Sequence, residues 1–254
     1  MFDIHSHIVW GIDDGSPDIE ISIAMLELAW ESGTTDIVAT PHSNAEYEYQ
    51  PALIDERIQE LMARTGGRPK IHRGCDLHLN FDNLDHLLAN PSVYTIAGKQ
   101  YLLVECPDFH VGKHTELVLR QILDAGLVPI VTHPERNPVL QKKLERVEEW
   151  VDLGCLVQVT ALSVTAGFGR AATKACHELL RRGLVHIVAS DAHDPSYRST
   201  RLDKAREVVR EQYGNETAEA LFTENPRDVV EGNDLPGGRL NFSDAPKSWW
   251  QFWK

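Results

Sequence analysis

Histidines and carboxylates recur in this 254-residue chain at the ends of short apolar runs. His5 and His7 form a His-x-His pair. In a strand, residues i and i+2 point to one side, so both imidazoles can reach one ion as the strand ends. The loop that follows, Gly11-Ile12-Asp13-Asp14-Gly15, offers two adjacent carboxylates. Asp13 or Asp14 could complete a ligand set, or could simply cap the helix starting near Pro17. Further along, His42, Asp76, Glu105, His133, and then Asp191 with His193, each follow or close an apolar run. Mixed imidazole and carboxylate suits manganese, iron, zinc or cobalt, whereas an all-oxygen set suits magnesium or calcium. Counting one of the Asp13/Asp14 pair, nine ligands exceed the need of one ion and fit two or three. Three divalent ions would outweigh the four carboxylates in charge, so the loaded site favours an anionic substrate.

Two arginines fit that substrate. Arg136 lies three residues after His133 in His133-Pro134-Glu135-Arg136, and Arg198 lies five after His193. A guanidinium fork binds phosphate oxygens bidentately and stabilises charge in phosphoryl transfer; the plain alternative is a surface ion pair. His110 and His114 lie on what reads as a long loop, 107–114, and are candidates for substrate contact. His72 and His78 flank Asp76, with His78 a pocket wall or exposed, while His86, His177 and His186 read as structural. Cys176 and Arg182 match the C-x5-R spacing of cysteine-dependent phosphatases, but without glycine and on a helical stretch. A helix interior spends its N–H groups on its own carbonyls, so Cys176 reads as buried helix, and Cys75, Cys106 and Cys155 as core.

The elements that must position these side chains are legible in the periodicity. Candidate strands cover 2–5, 36–40, 70–75, 101–105, 129–132, 156–160 and 185–190, and helix-like stretches cover 19–32, 52–64, 116–125, 140–153 and 170–182. Several of the latter end at glycine (Gly33, Gly126, Gly154, Gly183), which closes a helix in the left-handed conformation. Alternating strands and helices imply right-handed crossovers and a parallel sheet, either open or closed. In a barrel all C-terminal strand ends converge on one face, whereas an open sheet spreads them along an edge. Six of the seven runs deliver a metal-capable side chain at that end, so an α/β fold of the βα-barrel type, with seven or so strands, is expected.

Composition narrows the classes. The chain is 42% hydrophobic and 25% charged, with 25 basic against 38 acidic residues and a net charge of −13. That is one ordinary globular domain whose own field opposes nucleic acid. No CxxC pair, export signal or run of the ~18 apolar residues that a spanning helix needs is present, so a cytoplasmic protein without a transmembrane segment is expected.

HSHIVWGIDDGS at 5–16, ATPHSN around His42, VECP at Glu105, THPERN around His133 and ASDAH at Asp191 resemble the PHP (polymerase and histidinol phosphatase) superfamily. Within it they are similar to the bacterial manganese-dependent protein-tyrosine phosphatases of capsular and exopolysaccharide clusters, the CpsB/YwqE type. The resemblance runs from residue 1 to about 230. It implies a distorted seven-stranded, TIM-like βα barrel over 1–235 and three divalent ions, manganese first, with iron, zinc, cobalt or magnesium as alternatives. It also implies metal binding by His5, His7, a DDG aspartate, His42, Asp76, Glu105, His133, Asp191 and His193, and phosphate contacts from Arg136 and Arg198. The implied substrate is a phosphotyrosine protein, the tail of a membrane-anchored bacterial tyrosine kinase. A small-molecule phosphoesterase acting on histidinol phosphate or a sugar phosphate is the alternative, and a non-catalytic metal-binding scaffold a third. The chain departs from the pattern at Asp76, where relatives carry glutamate, and in its 236–254 tail, which ends Ser248-Trp249-Trp250-Gln251-Phe252-Trp253-Lys254. That tail reads as an arm packed on its own domain or on a neighbouring subunit, or as a dock for a membrane-bound partner.

Overall fold

The computed structural model describes residues 1–79, 81–107, 111 and 113–240. His110 and the aromatic end of the tail therefore lie outside the described residues. Strands and helices alternate: β1 (Phe2–Ser6), α1 (Ile19–Glu31), β2 (Asp36–Ala39), β3 (His42–Ser43), α2 (Pro51–Thr65), β4 (Lys70–Arg73), β5 (Asp76–His78), α3 (Phe81–Ala89), α4 (Pro91–Tyr94) and β6 (Tyr101–Glu105). Then come α5 (Lys113–Asp124), β7 (Val128–Thr132), α6 (Leu144–Leu153), β8 (Leu156–Thr160), α7 (Ala161–Val164), α8 (Gly169–Arg181), β9 (Ile187–Ala189), α9 (Asp203–Tyr213), α10 (Asn215–Glu219) and α11 (Asn225–Glu231).

All regular pairing among the described residues is parallel, in two sheets: β1-β2-β4 and β3-β5-β6-β7-β8-β9. Two expected strands are each followed, after a break, by a short second strand. Run 36–40 is β2, parted from β3 by Pro41, which has no N–H to give a ladder. Run 70–75 breaks at Gly74, where a Cβ would stand 2.9 Å from Val38 Cγ1. Hydrogen bonds from Gly74 N to Ala39 O (2.9 Å) and Asp76 N to Pro41 O (3.2 Å) carry alignment across both breaks. At the other margin, Asp191 N donates to His5 O and His7 N to Ala192 O, each at 2.8 Å, and Ser6 bridges Ala192 in parallel.

The strands are buried on both faces, which is why YLLVE and LVQVT read as near-continuous apolar runs. Ile4, Val38, Tyr101, Leu103, Ile130, Leu156 and Ile187 pack on one side. The alternate residues Leu102, Val104, Val131, Val157 and Val188 pack against Leu119, Trp150, Val151 and Leu179 of the surrounding helices. Asp18 caps α1 by accepting from Ile21 N (2.9 Å), and Gly154 closes α6 at φ 109°. The expected 140–153 helix is a 3₁₀ turn over Leu140–Lys142 and then α6, parted at Lys143 (φ −143°). The sequence periodicity does not mark helices α9 to α11; α9 buries only Ala205 and Val209, too little for a clear apolar stripe.

Residues 236–240 run beside the N-terminal ends of β8 and β9, with Leu240 N donating to Gly183 O (2.8 Å) and His186 Nε2 lying 2.9 Å from Gly238 O. That end of the strands is opposite to the histidines. No helix among the described residues is long and apolar enough to cross a membrane. Cys75, Cys106, Cys155 and Cys176 are free and buried, Cys176 within α8.

Candidate metal centre

The strand ends bring nine side chains together. Their ligand atoms form four overlapping groups, each within 4.8 Å: His7, Asp14, His42 and His193; His5, His7 and Asp76; His5, His133 and Asp191; and His42, Asp76 and Glu105. Asp76 Oδ2 lies 3.5 Å from His5 Nε2 and 3.3 Å from His42 Nδ1, and Asp191 Oδ1 lies 3.4 Å from His5 Nε2 and 3.5 Å from His7 Nε2. Glu105 stands 3.6 Å from His133 Nε2 and 3.8 Å from His42 Nδ1. Two of the nine sit on left-handed backbone, His133 at φ 31° and Asp191 at φ 52°. Such strain costs about 1–3 kcal/mol and persists where surroundings over-determine it. Here the hydrogen bond from Asp191 N to His5 O and that from Ser190 N to Asp3 Oδ1 (3.0 Å) hold the turn.

The adjacent aspartates part company. Asp14 Oδ1 stands 3.5 Å from both His42 Nε2 and His193 Nε2. Asp13 joins none of the four groups. Its Oδ2 pairs with His7 Nδ1 at 2.6 Å and accepts from His42 N at 3.0 Å, and its Oδ1 accepts from Gly15 N at 3.0 Å. The helix cap is Asp18, so neither aspartate fills that role.

Three imidazoles share one arrangement, with Nδ1 engaged from behind. His5 Nδ1 faces Gln158 Oε1 at 3.0 Å, His7 Nδ1 faces Asp13, and His193 Nδ1 donates to Asp191 O at 3.0 Å. An acceptor on Nδ1 leaves Nε2 as the ligand atom. The Nε2 atoms of His5 and His7 then meet at 3.3 Å, an approach that two lone pairs disfavour and a shared cation relieves.

Electrostatics agree. Asp76 is fully buried, and both its oxygens, like His42 Nδ1, lack a hydrogen-bond partner. A buried carboxylate without donors is costly unless a cation compensates it. Burial opposes ionisation of Asp76 and Asp191, but His5 and His42 together at Asp76, and His5, His7, His133 and Arg198 together at Asp191, outweigh it and hold both well below the usual carboxylate range. Burial also opposes the His7 charge, yet Asp13 and Asp191 raise its pKa to about 10. Burial and the neighbouring Asp76 push Glu105 up to about 7, while burial and Arg136 push His133 down to about 3. Protons thus stand in for cations here, and divalent ions would displace them. The donor set fits borderline divalent metals.

At the rim, Arg136 Nη1 and Arg198 Nη2 converge on Asp191 Oδ2, the latter at 2.7 Å. Both are partly exposed and retain further N–H groups. Glu135 is buried and ties this loop to the end of β8, its Oε1 accepting from Thr160 N (2.9 Å) and Thr160 Oγ1 (3.0 Å). The remaining histidines lie elsewhere: His72 on Asp36 (2.9 Å), His86 on Tyr94 Oη (2.7 Å), and His177 on Tyr213 Oη (2.8 Å). His78 is the last residue of β5. Gln158 and Phe168 escaped the sequence reading. Gln158 sits within an apolar strand, and Phe168 is an isolated loop aromatic, so neither makes a pattern.

A profile described as capsular polysaccharide synthesis, CpsB/CapC, matches residues 1–231. The chain is 30% identical over 239 residues to the tyrosine-protein phosphatase CpsB of Streptococcus pneumoniae, covering 91% of this chain and 98% of that protein. It is also 30% identical over 233 residues to the tyrosine-protein phosphatase YwqE of Bacillus subtilis, covering 89% of each. One chain from the crystal structures of YwqE and CpsB, described as metal-dependent tyrosine phosphatases, is matched with a TM-score of 0.87 at 28% identity, covering 95% of this chain and 100% of that one.

Proposed function

The chain belongs to the capsular polysaccharide synthesis CpsB/CapC family, and from that premise we propose that it is a metal-dependent phosphatase acting on phosphotyrosine in proteins. The observation that carries the proposal is the convergence of nine metal-capable side chains around a buried Asp76 whose oxygens have no hydrogen-bond donor. In this reading His5, His7, Asp14, His42, Asp76, Glu105, His133, Asp191 and His193 hold three divalent ions, manganese first. Asp13 and Gln158 act one layer behind, fixing which nitrogen of His7 and His5 faces the ions.

Bound divalent ions supply Lewis acidity toward phosphoryl oxygens and lower the pKa of water to about 7, providing a nucleophile at neutral pH. Arg136 and Arg198 bind the remaining phosphoryl oxygens with the N–H groups they do not spend on Asp191 and neutralise charge as it develops. Asp191 keeps both guanidiniums at the rim while its other oxygen faces His5 and His7. The phenolate leaving group has a conjugate-acid pKa of about 10, which lessens the need for a strong general acid.

The breaks at Pro41 and Gly74 leave β2 continuing into β3 and β4 into β5, and hydrogen bonds join β1 to the segment after β9. We therefore read the two sheets as one distorted seven-line barrel over 1–235, with 236–254 a tail; the family match ends at 231. A cytoplasmic location and a membrane-anchored tyrosine kinase as substrate are consistent with four free, buried cysteines and with the capsule-synthesis family.

The test is phosphate release from a phosphotyrosine peptide and from histidinol phosphate, side by side, with Mn²⁺ and with a chelator. Chelator-sensitive turnover of the peptide alone is expected. Turnover of histidinol phosphate alone would move the chain to small-molecule chemistry, and activity on neither with metal bound would leave a scaffold.

A further inference from the structure

We infer that Phe168 is a positioning residue for the arginine pair, an inference that rests on the phosphate-binding role proposed for Arg136 and Arg198. The two guanidiniums arrive on loops that follow different strands, β7 and β9, and each touches the same Asp191 oxygen. One shared oxygen fixes where a nitrogen lies but not the plane of a guanidinium, and long side chains lose much rotamer freedom when held. Phe168 supplies the second contact to both. Its ring centroid is 4.5 Å from Arg136 Cζ and 5.9 Å from Arg198 Cζ, within reach of a cation–π interaction in each case.

The ring comes from a third loop, between α7 and α8, that is built to hold it. Ala166 and Gly169 flank it in the left-handed region (φ 67° and 82°). A Cβ at Gly167 would stand 2.6 Å from Leu162 Cδ2, so the turn is closely packed. Tyr197 Oη donates to Gly167 O at 2.6 Å, tying the Phe168 loop to the loop that carries Arg198. Phe168 is only half-buried and belongs to none of the three buried apolar clusters, so core packing does not account for a phenylalanine beside two arginines. With Asp191 fixing one corner and the ring fixing the plane, the free N–H fork of each guanidinium is set before an anion arrives.

The experiment measures inorganic phosphate binding to metal-loaded protein by calorimetry, with metal content and melting temperature recorded for each variant. Two partly exposed cation–π contacts correspond to roughly a tenfold change in affinity. Phe168→Leu keeps the apolar bulk but lacks the π face, and should weaken phosphate about tenfold with metal content unchanged, as should Phe168→Ala. Phe168→Tyr restores the face and should stay within about twofold of wild type. Wild-type phosphate affinity in Phe168→Leu, alongside weakened binding in Arg136→Ala, would overturn this inference and leave the arginine role intact. Wild-type affinity in Arg136→Ala and Arg198→Ala as well would remove the arginine reading and this inference with it.

Discussion

Replacing each aspartate of the DDG loop in turn separates a residue that holds a metal from one that orients a ligand. Asp13 stays ionised at neutral pH: burial opposes its charge, but His7 and the N–H groups of His42 and Gly15 hold its pKa at about 2. Its 2.6 Å contact with His7 is a charge-assisted hydrogen bond, worth about 1.5–3 kcal/mol. Asp13→Asn keeps a neutral acceptor of about half that strength, so Mn²⁺ affinity should fall roughly fivefold. Asp13→Ala leaves the His7 N–H without an acceptor in a buried setting, and the loss should reach about 10–100-fold. Neither change removes a donor from the four groups, so the number of ions bound at saturation should not change. Asp14→Asn, by contrast, removes the carboxylate between His42 and His193 and should lower that number by one. The assay is competition with a metal-sensitive dye for affinity, with atomic emission for stoichiometry. Loss of an ion in Asp13→Asn together with full stoichiometry in Asp14→Asn would refute the reasoning, because it would reverse the two roles.

Arg136→Ala and Arg198→Ala should each reduce kcat/KM on a phosphotyrosine peptide by about 10²–10³-fold with metal content intact, as expected for an oxyanion-binding group. A change of only a few-fold would remove the assigned role. Gln158→Leu should weaken metal binding by about 10–100-fold while Gln158→Glu retains it, measured by the same dye competition. Acid should destabilise the fold through His186, whose burial lowers its pKa from 6.5 to about 4 while its Nδ1 accepts from Val157 N. The unfolded chain then binds the proton more readily, so this contribution is present above pH 6.5 and is lost as pH falls toward 4, by roughly 3 kcal/mol. Urea midpoints at pH 7.5 and 4.5 should show a smaller drop in His186→Gln than in wild type.

The convergence at the strand ends was legible because apolar run, helical stretch and glycine stop repeat in order, and six of the seven runs carry a metal-capable residue at the same end. The strand breaks were signalled too, by Pro41 just after one run and by Gly74 inside another, but neither residue says that a second short strand follows. What adjacent residues do was not legible. Asp13 and Asp14 differ only in direction, which the loop's backbone sets and composition does not. Gln158 looks like a stray polar residue in LVQVT until His5 is seen beside it. Phe168 makes no pattern because its partners come from two distant loops. The left-handed backbone at His133 and Asp191 also leaves no mark in the sequence, since nothing local demands it.

Stepwise return of Mn²⁺ to chelated protein, with bound metal and turnover of a phosphotyrosine peptide measured in the same samples, tests the central claim most directly. The account predicts no turnover without metal, and activity that appears as the final equivalents fill, up to three ions per chain. Full turnover in the metal-free protein, or none when all three ions are bound, would contradict it.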